Sequence, residues 1–136
     1  ASKKIRKSKY IKEMERIEDL LNRASHSKDD GLYDLCLFIE SNRPGVLKHV
    51  NIDLYDKRLN STREIDIVTS RSIIEVKSKT GKHALKQFIA QKQLSEGLGK
   101  RYYVYAPNMS DARYNEYSKQ GITVFRTKEQ LIKGVL

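Results

Sequence analysis

The chain has 136 residues, 38% of them hydrophobic and 32% charged, a balance that suits one globular domain with one core over residues 1–136. No apolar run is long enough to span a bilayer and no signal-peptide pattern is present, so no membrane partner is expected. Lysine and arginine number 27 against 17 aspartate and glutamate, and the resulting charge of +10 attracts polyanions, nucleic acid first among them.

Residues 1–9 open the chain as a basic arm, with five basic and no acidic side chains between positions 3 and 9. From Tyr10 to Ala24 the residues Ile11, Met14, Ile17, Leu20 and Leu21 recur at helical spacing. A second helix, capped by Asp29 or Asp30, is expected to run to about Asn42, with Leu32, Leu35, Cys36 and Ile39 on one stripe and Pro44-Gly45 as its stop. Cys36, the one cysteine, reads as a small buried hydrophobe, and its solitude excludes cysteine-ligated zinc. Val46 to Tyr55 alternates loosely as a first strand, and a polar loop from Asp56 to Thr62 follows.

Two β-branched segments come next, Glu64-Ile65-Asp66-Ile67-Val68 and Ile73-Ile74-Glu75-Val76-Lys77, both alternating charged with apolar residues. A turn centred on Ser70-Arg71 pairs Val68 with Ile73, Ile67 with Ile74 and Asp66 with Glu75. Directly opposed residues lie about 5 Å apart at Cβ, and like charges so placed are destabilising unless neutralised. A divalent cation is the natural neutraliser, because magnesium-like ions take carboxylate oxygens, keep waters and are completed by substrate phosphate. Lys77, two residues past Glu75, shares its face and can orient or deprotonate a water or offset phosphate charge. The chemistry implied is phosphodiester hydrolysis.

These residues carry a family resemblance. Glu-Ile-Asp-Ile-Val followed by Ile-Ile-Glu-Val-Lys resembles the core of the PD-(D/E)xK nuclease superfamily, the restriction-endonuclease-like fold, over about fifteen residues, with Ile65 standing where the family pattern has Pro. Asp66, Glu75 and Lys77 fall on the family's Asp, acidic residue and Lys. The resemblance implies an α/β fold with a mixed central sheet flanked by helices. It implies a metal-dependent endonuclease in which Asp66 and Glu75, with the Val76 carbonyl, hold magnesium, manganese or zinc, and Lys77 positions or activates the water. A helix before the first strand often adds a carboxylate, and Glu40 is preferred for this over Asp34 and Glu18. A compact basic nuclease domain without its own initiator methionine is also similar to the C-terminal effector domains of contact-dependent growth inhibition and related polymorphic toxins. That similarity implies delivery as part of a larger secreted protein, action in the target-cell cytoplasm, and an acidic immunity protein as partner.

Beyond the hairpin, Lys77 to Lys82 forms a basic turn that reads either as a solvated lysine loop or as one in which Lys79 and Lys82 contact nucleic-acid phosphates. Lys82 to Leu98 reads as a helix with Leu85, Phe88 and Ile89 facing the sheet, and with Gln87 and Gln91 either reaching the carboxylates or forming a polar outer face. Arg101 to Ala106 is a strand that puts Tyr103 and Tyr105 on one face, where core packing outweighs a base-stacking role. Ser110 to Gln120 is a helix closed by Gly121, Ile122 to Phe125 a strand, and Thr127 caps a final helix to Val135. His26, His49 and His83 form no metal-binding spacing and read as surface residues. Two other functions fit the same sequence: a DNA repair, recombination or restriction nuclease, and a non-catalytic basic module that binds nucleic acid. The resembled fold acts most commonly on DNA, toxin members similar to this chain also cut transfer RNA, and no residue here identifies a 2′-hydroxyl reader.

Overall fold

The computed structural model describes residues 4–5, 17–26, 31–78 and 84–135. The expected stretches at 10–16 and at Asp29-Asp30 therefore lie outside the described residues, as do Lys79, Lys82, His83 and most of the basic arm. Helices α1 (Ile17–Ser25) and α2 (Gly31–Asn42) precede a meander of β2 (Leu47–Asp56), β3 (Ser61–Thr69) and β4 (Ser72–Val76). Then come α3 (Leu85–Gly97), β5 (Arg101–Tyr105), α4 (Asp111–Lys119), β6 (Val124–Phe125) and α5 (Lys128–Val135). The five strands β2 to β6 follow in chain order across a mixed α/β sheet, and the dipeptide β1 (Lys4–Ile5) adds a parallel edge beside β2. β2, β3 and β4 pair antiparallel, whereas β5 and β6 each join by a helical crossover and run parallel to their neighbour.

Alternation along the strands builds a core on each face of the sheet. On one face Ile73, Tyr102, Val104 and Val124 pack under α3 and α4, where Phe88 meets Tyr117 edge-on with ring centroids 5.6 Å apart. On the other, Ile67, Ile74, Val76, Tyr103 and Tyr105 pack under α1, α2 and α5, against Leu32, Leu35, Cys36 and Ile39. Burial pushes the Cys36 thiol up to about 12, helped by the charge of Asp66. The two late helices are capped as their sequences suggest, Ser110 Oγ accepting from Arg113 N at 3.2 Å and Thr127 Oγ1 from Gln130 N at 3.1 Å. Among the described residues no helix is long and apolar enough to cross a membrane.

His49 departs from its expected surface position: it is only 2% exposed, on the inward side of β2. The loop between β2 and β3 is held by Asp56, whose buried carboxylate accepts from Arg58 NH2 at 2.9 Å and Arg63 Nε at 3.4 Å. Burial would raise that carboxyl, but the hydrogen bonds and charge of Arg58, with Arg63, hold it below its ordinary range. Arg58 also donates to Gln93 Oε1 at 3.0 Å, which ties the turn to α3.

A kink in β2 and β3 prepares the site. Val50 pairs with Ile67 and Ile52 with Ile65, so Asn51 and Asp66 face one another across the ladder. In a regular strand residues two apart share a face. Here Val50 and Ile67 join one core while Ile52 and Ile65 join the other, so both strands change face at this point. Asn51 takes the turn with φ at 52°, in the left-handed region that asparagine tolerates and β-branched residues do not. Asn51→Val is expected to lower stability by about 1–2 kcal/mol, and Asn51→Gly to leave it within a few tenths. Urea unfolding of the two variants measures the difference, and equal stabilities would show that the kink carries no backbone cost.

Candidate active site

The β3–β4 hairpin has the register expected from its sequence, Val68 opposite Ile73 and Ile67 opposite Ile74. Its loop is tighter than the gap of four residues implied, because Thr69 and Ser72 belong to the strands and Ser70-Arg71 alone make the connection. Thr69 Oγ1 closes it, accepting from Ser72 N at 3.0 Å and meeting Ser72 Oγ at 2.6 Å.

The ladder stops one pair short of the acidic residues. Past Ile67–Ile74 the Asp66 carboxylate takes over the strand's bonding role: its Oδ2 accepts from Val76 N at 2.8 Å. The paired register ends there, and the Asp66 and Glu75 carboxyl groups lie beside one another. Asp66 is half-buried and Glu75 only 4% exposed.

Burial raises the Glu75 carboxyl well above its ordinary range, and the hydrogen-bonded, like-charged Asp66 carboxyl beside it adds to the effect. Gln91 and the Lys77 ammonium act in the opposite sense and favour the charged form. Lys77 is half-buried, and its backbone N–H extends the β4–β5 ladder by donating to Tyr105 O at 2.9 Å. The structure thus gathers Asp66, Glu75 and Lys77 at the C-terminal end of β4.

Helix α3 supplies the supporting layer. Gln87 Nε2 donates to Glu75 Oε2 at 3.0 Å. One turn on, Gln91 is 2% exposed and bridges two strands, its Nε2 donating to Glu64 O at 3.3 Å and its Oε1 accepting from the Tyr102 hydroxyl at 2.5 Å. Burial, and the charges of Glu75 and Asp66, push the Tyr102 hydroxyl well above its ordinary range, so it stays a donor at neutral pH. The two glutamines were legible from their helical spacing. Tyr102 was not singled out for this role, although the parallel register Ile73–Tyr102 places it on the Glu75 face of the sheet.

Other candidates lie elsewhere. Glu40 turns its carboxylate back on the loop after α2, accepting from Gly45 N at 3.1 Å and 3.4 Å. Asp34 is exposed on α2 and Glu18 exposed on α1. Among the described residues no group of three His, Cys, Asp or Glu side chains is placed to hold one metal ion. What remains is a pair of oxygen donors at the end of a ladder, which fits a hard cation completed by water and phosphate rather than an all-protein cage.

The chain matches no protein-family model, no curated protein and no solved structure.

A carboxyl whose folded-state pKa lies above its unfolded value binds its proton more tightly when folded. Its stabilising contribution is full below the unfolded pKa and is lost as pH rises through the folded one. In chelator, the thermal midpoint is therefore expected to fall as pH rises from about 4.3, the ordinary glutamate value, and Glu75→Gln should flatten that slope. A variant that keeps the wild-type pH profile would show that Glu75 does not titrate in this window.

Proposed function

We propose that this protein is a metal-dependent nuclease with a restriction-endonuclease-like core that hydrolyses phosphodiester bonds in DNA or RNA. The observation that carries the proposal is the Asp66–Glu75 pair, two carboxyl groups brought together where the β3–β4 ladder ends, with Lys77 two residues past Glu75. Burying like charges side by side is costly without a function or a counter-ion. The order helix, antiparallel meander, crossover helix, parallel strand, flanked by helices on both faces, supports the same fold. A net charge of +10 supplies the field that would gather a polyphosphate substrate.

In this reading Asp66 and Glu75 would hold magnesium or manganese, which would supply positive charge for the oxygens that become more negative during phosphodiester cleavage. The oxygen-only pair suits these ions better than zinc, whose sites draw on three or four protein ligands. Asp66 is oriented by the Val76 N–H, and Glu75 by the Gln87 amide, so neither carboxylate has to reorganise when substrate arrives. The Lys77 side chain lies within electrostatic reach of Glu75, where it can orient the attacking water or offset charge on the scissile phosphate. A toxic effector of this kind needs an acidic inhibitor in the cell that makes it, and the basic surface is complementary to one. Wild-type protein that expresses as freely as Asp66→Ala without such a partner would count against the effector setting.

The activity itself is tested on plasmid and on total RNA, with and without magnesium. Cleavage should need the metal and should drop by roughly 10²-fold or more in Asp66→Asn and in Lys77→Ala proteins that keep their wild-type circular dichroism. Undiminished cutting by either folded variant refutes the assignment. Salt-sensitive binding with no cleavage under any metal would instead identify a nucleic-acid-binding module.

A further inference from the structure

At the far end of the β3–β4 hairpin from the carboxylates, the fold collects basic side chains. Arg101 N donates to Arg71 O at 3.0 Å, which sets these two exposed residues side by side at the starts of parallel strands. Lys100 reaches back over the turn, its ammonium donating to Thr69 O at 2.8 Å and Ser70 O at 3.0 Å. Lys48 comes from the opposite side. The β2–β3 register slips by one residue between Leu47–Thr69 and His49–Val68, so Lys48 is the inserted residue of a bulge, a device that re-aims a side chain. Burial, and the charge of Lys48, lower the Lys100 pKa, which places the two ammonium groups within electrostatic reach.

Among the described residues none of these four cations pairs with a carboxylate: Glu96 is engaged by Lys92, and Glu40 by Gly45 N. A bulge, a carbonyl clamp and a parallel strand register each bring a cation to the same place. Such convergence of like charge is unfavourable unless an anion joins it. The exposed large apolar residues among those described, Tyr33, Leu37 and Leu59, are not part of this cluster. It therefore lacks the apolar anchors on which protein interfaces depend, and has what a phosphate backbone requires.

We propose that Lys48, Arg71, Lys100 and Arg101 form a second phosphate-binding surface that holds the nucleic-acid backbone away from the cleavage centre. Thr69 lies three positions along β3 from Asp66, roughly 10 Å at strand spacing, so a strand contacting both places must extend beyond the scissile phosphate. The inference deepens the nuclease reading, and its test records binding in chelator rather than cleavage, so each can fail without the other.

The test uses fluorescence anisotropy with a short labelled DNA duplex and with labelled transfer RNA, across about 50 to 200 mM salt. Arg71→Glu/Arg101→Glu is compared with the equally charged Lys57→Glu/Lys119→Glu pair, both exposed and outside the four-residue cluster. The hairpin pair should weaken binding of at least one nucleic acid about ten-fold at low salt and reduce the salt slope by about 2, the control pair far less. Should charge reversal impair folding, Arg71→Gln/Arg101→Gln gives the same readout at half the charge change. Equal losses in the two pairs would reduce the effect to net charge and overturn the proposal. So would unchanged binding of both nucleic acids, including the case in which the variant loses affinity for phosphatidylserine vesicles or for an acidic protein instead.

Discussion

The arrangement turns on one hydrogen bond, from Val76 N to Asp66 Oδ2, made where the β3–β4 ladder would otherwise continue through backbone groups. A buried N–H must find an acceptor, and a side-chain carboxylate that supplies it lets the two backbones part without leaving the donor unsatisfied. Glu75 sits beside Asp66 where the paired register has ended. The kink at Asn51 belongs to the same device, because β2 changes face opposite the residue at which β3 turns its side chain toward β4.

Around that pair the protein provides polar support rather than apolar packing. Gln87 fixes one carboxylate, while Gln91 ties β3 to β5 through Glu64 O and the Tyr102 hydroxyl. All of these partners are neutral, so they orient the acidic pair without cancelling its charge. Among the described residues that act on Glu75, Lys77 brings the formal positive charge, two residues further along the chain. The pair is thereby left electrostatically unfinished, which is the condition under which a cation or a proton binds strongly.

Local patterns made most of the scaffold legible. The α2 stripe Leu32, Leu35, Cys36 and Ile39 is fully buried, and the pairing of Val68 with Ile73 followed from alternation alone. β2 was read as alternating loosely, and the structure gives the reason: a bulge at Lys48 and a left-handed Asn51 each shift the pleat, so no single period describes the strand. His49, read as a surface residue because the histidines show no metal-binding spacing, lies buried between these two irregularities. In the site, strand spacing was enough to bring Asp66, Glu75 and Lys77 together. The Asp66–Val76 bond was illegible, since a side chain replacing a ladder bond leaves no periodic trace. Glu40 shows the limit of counting along a helix: nearness to the helix end made it a candidate ligand, but the same nearness lets it accept from Gly45 N.

Cys36 lends the molecule a property unrelated to catalysis. With its thiol pushed up to about 12 by burial and with no accessible surface, it is kept in the unreactive thiol form and out of reach of an oxidant or alkylating reagent. As the chain's single sulfhydryl, it cannot cross-link internally in any redox environment. Modification at this position would thus report excursions that lift α2 off the sheet, giving a chemical clock for the opening of that layer.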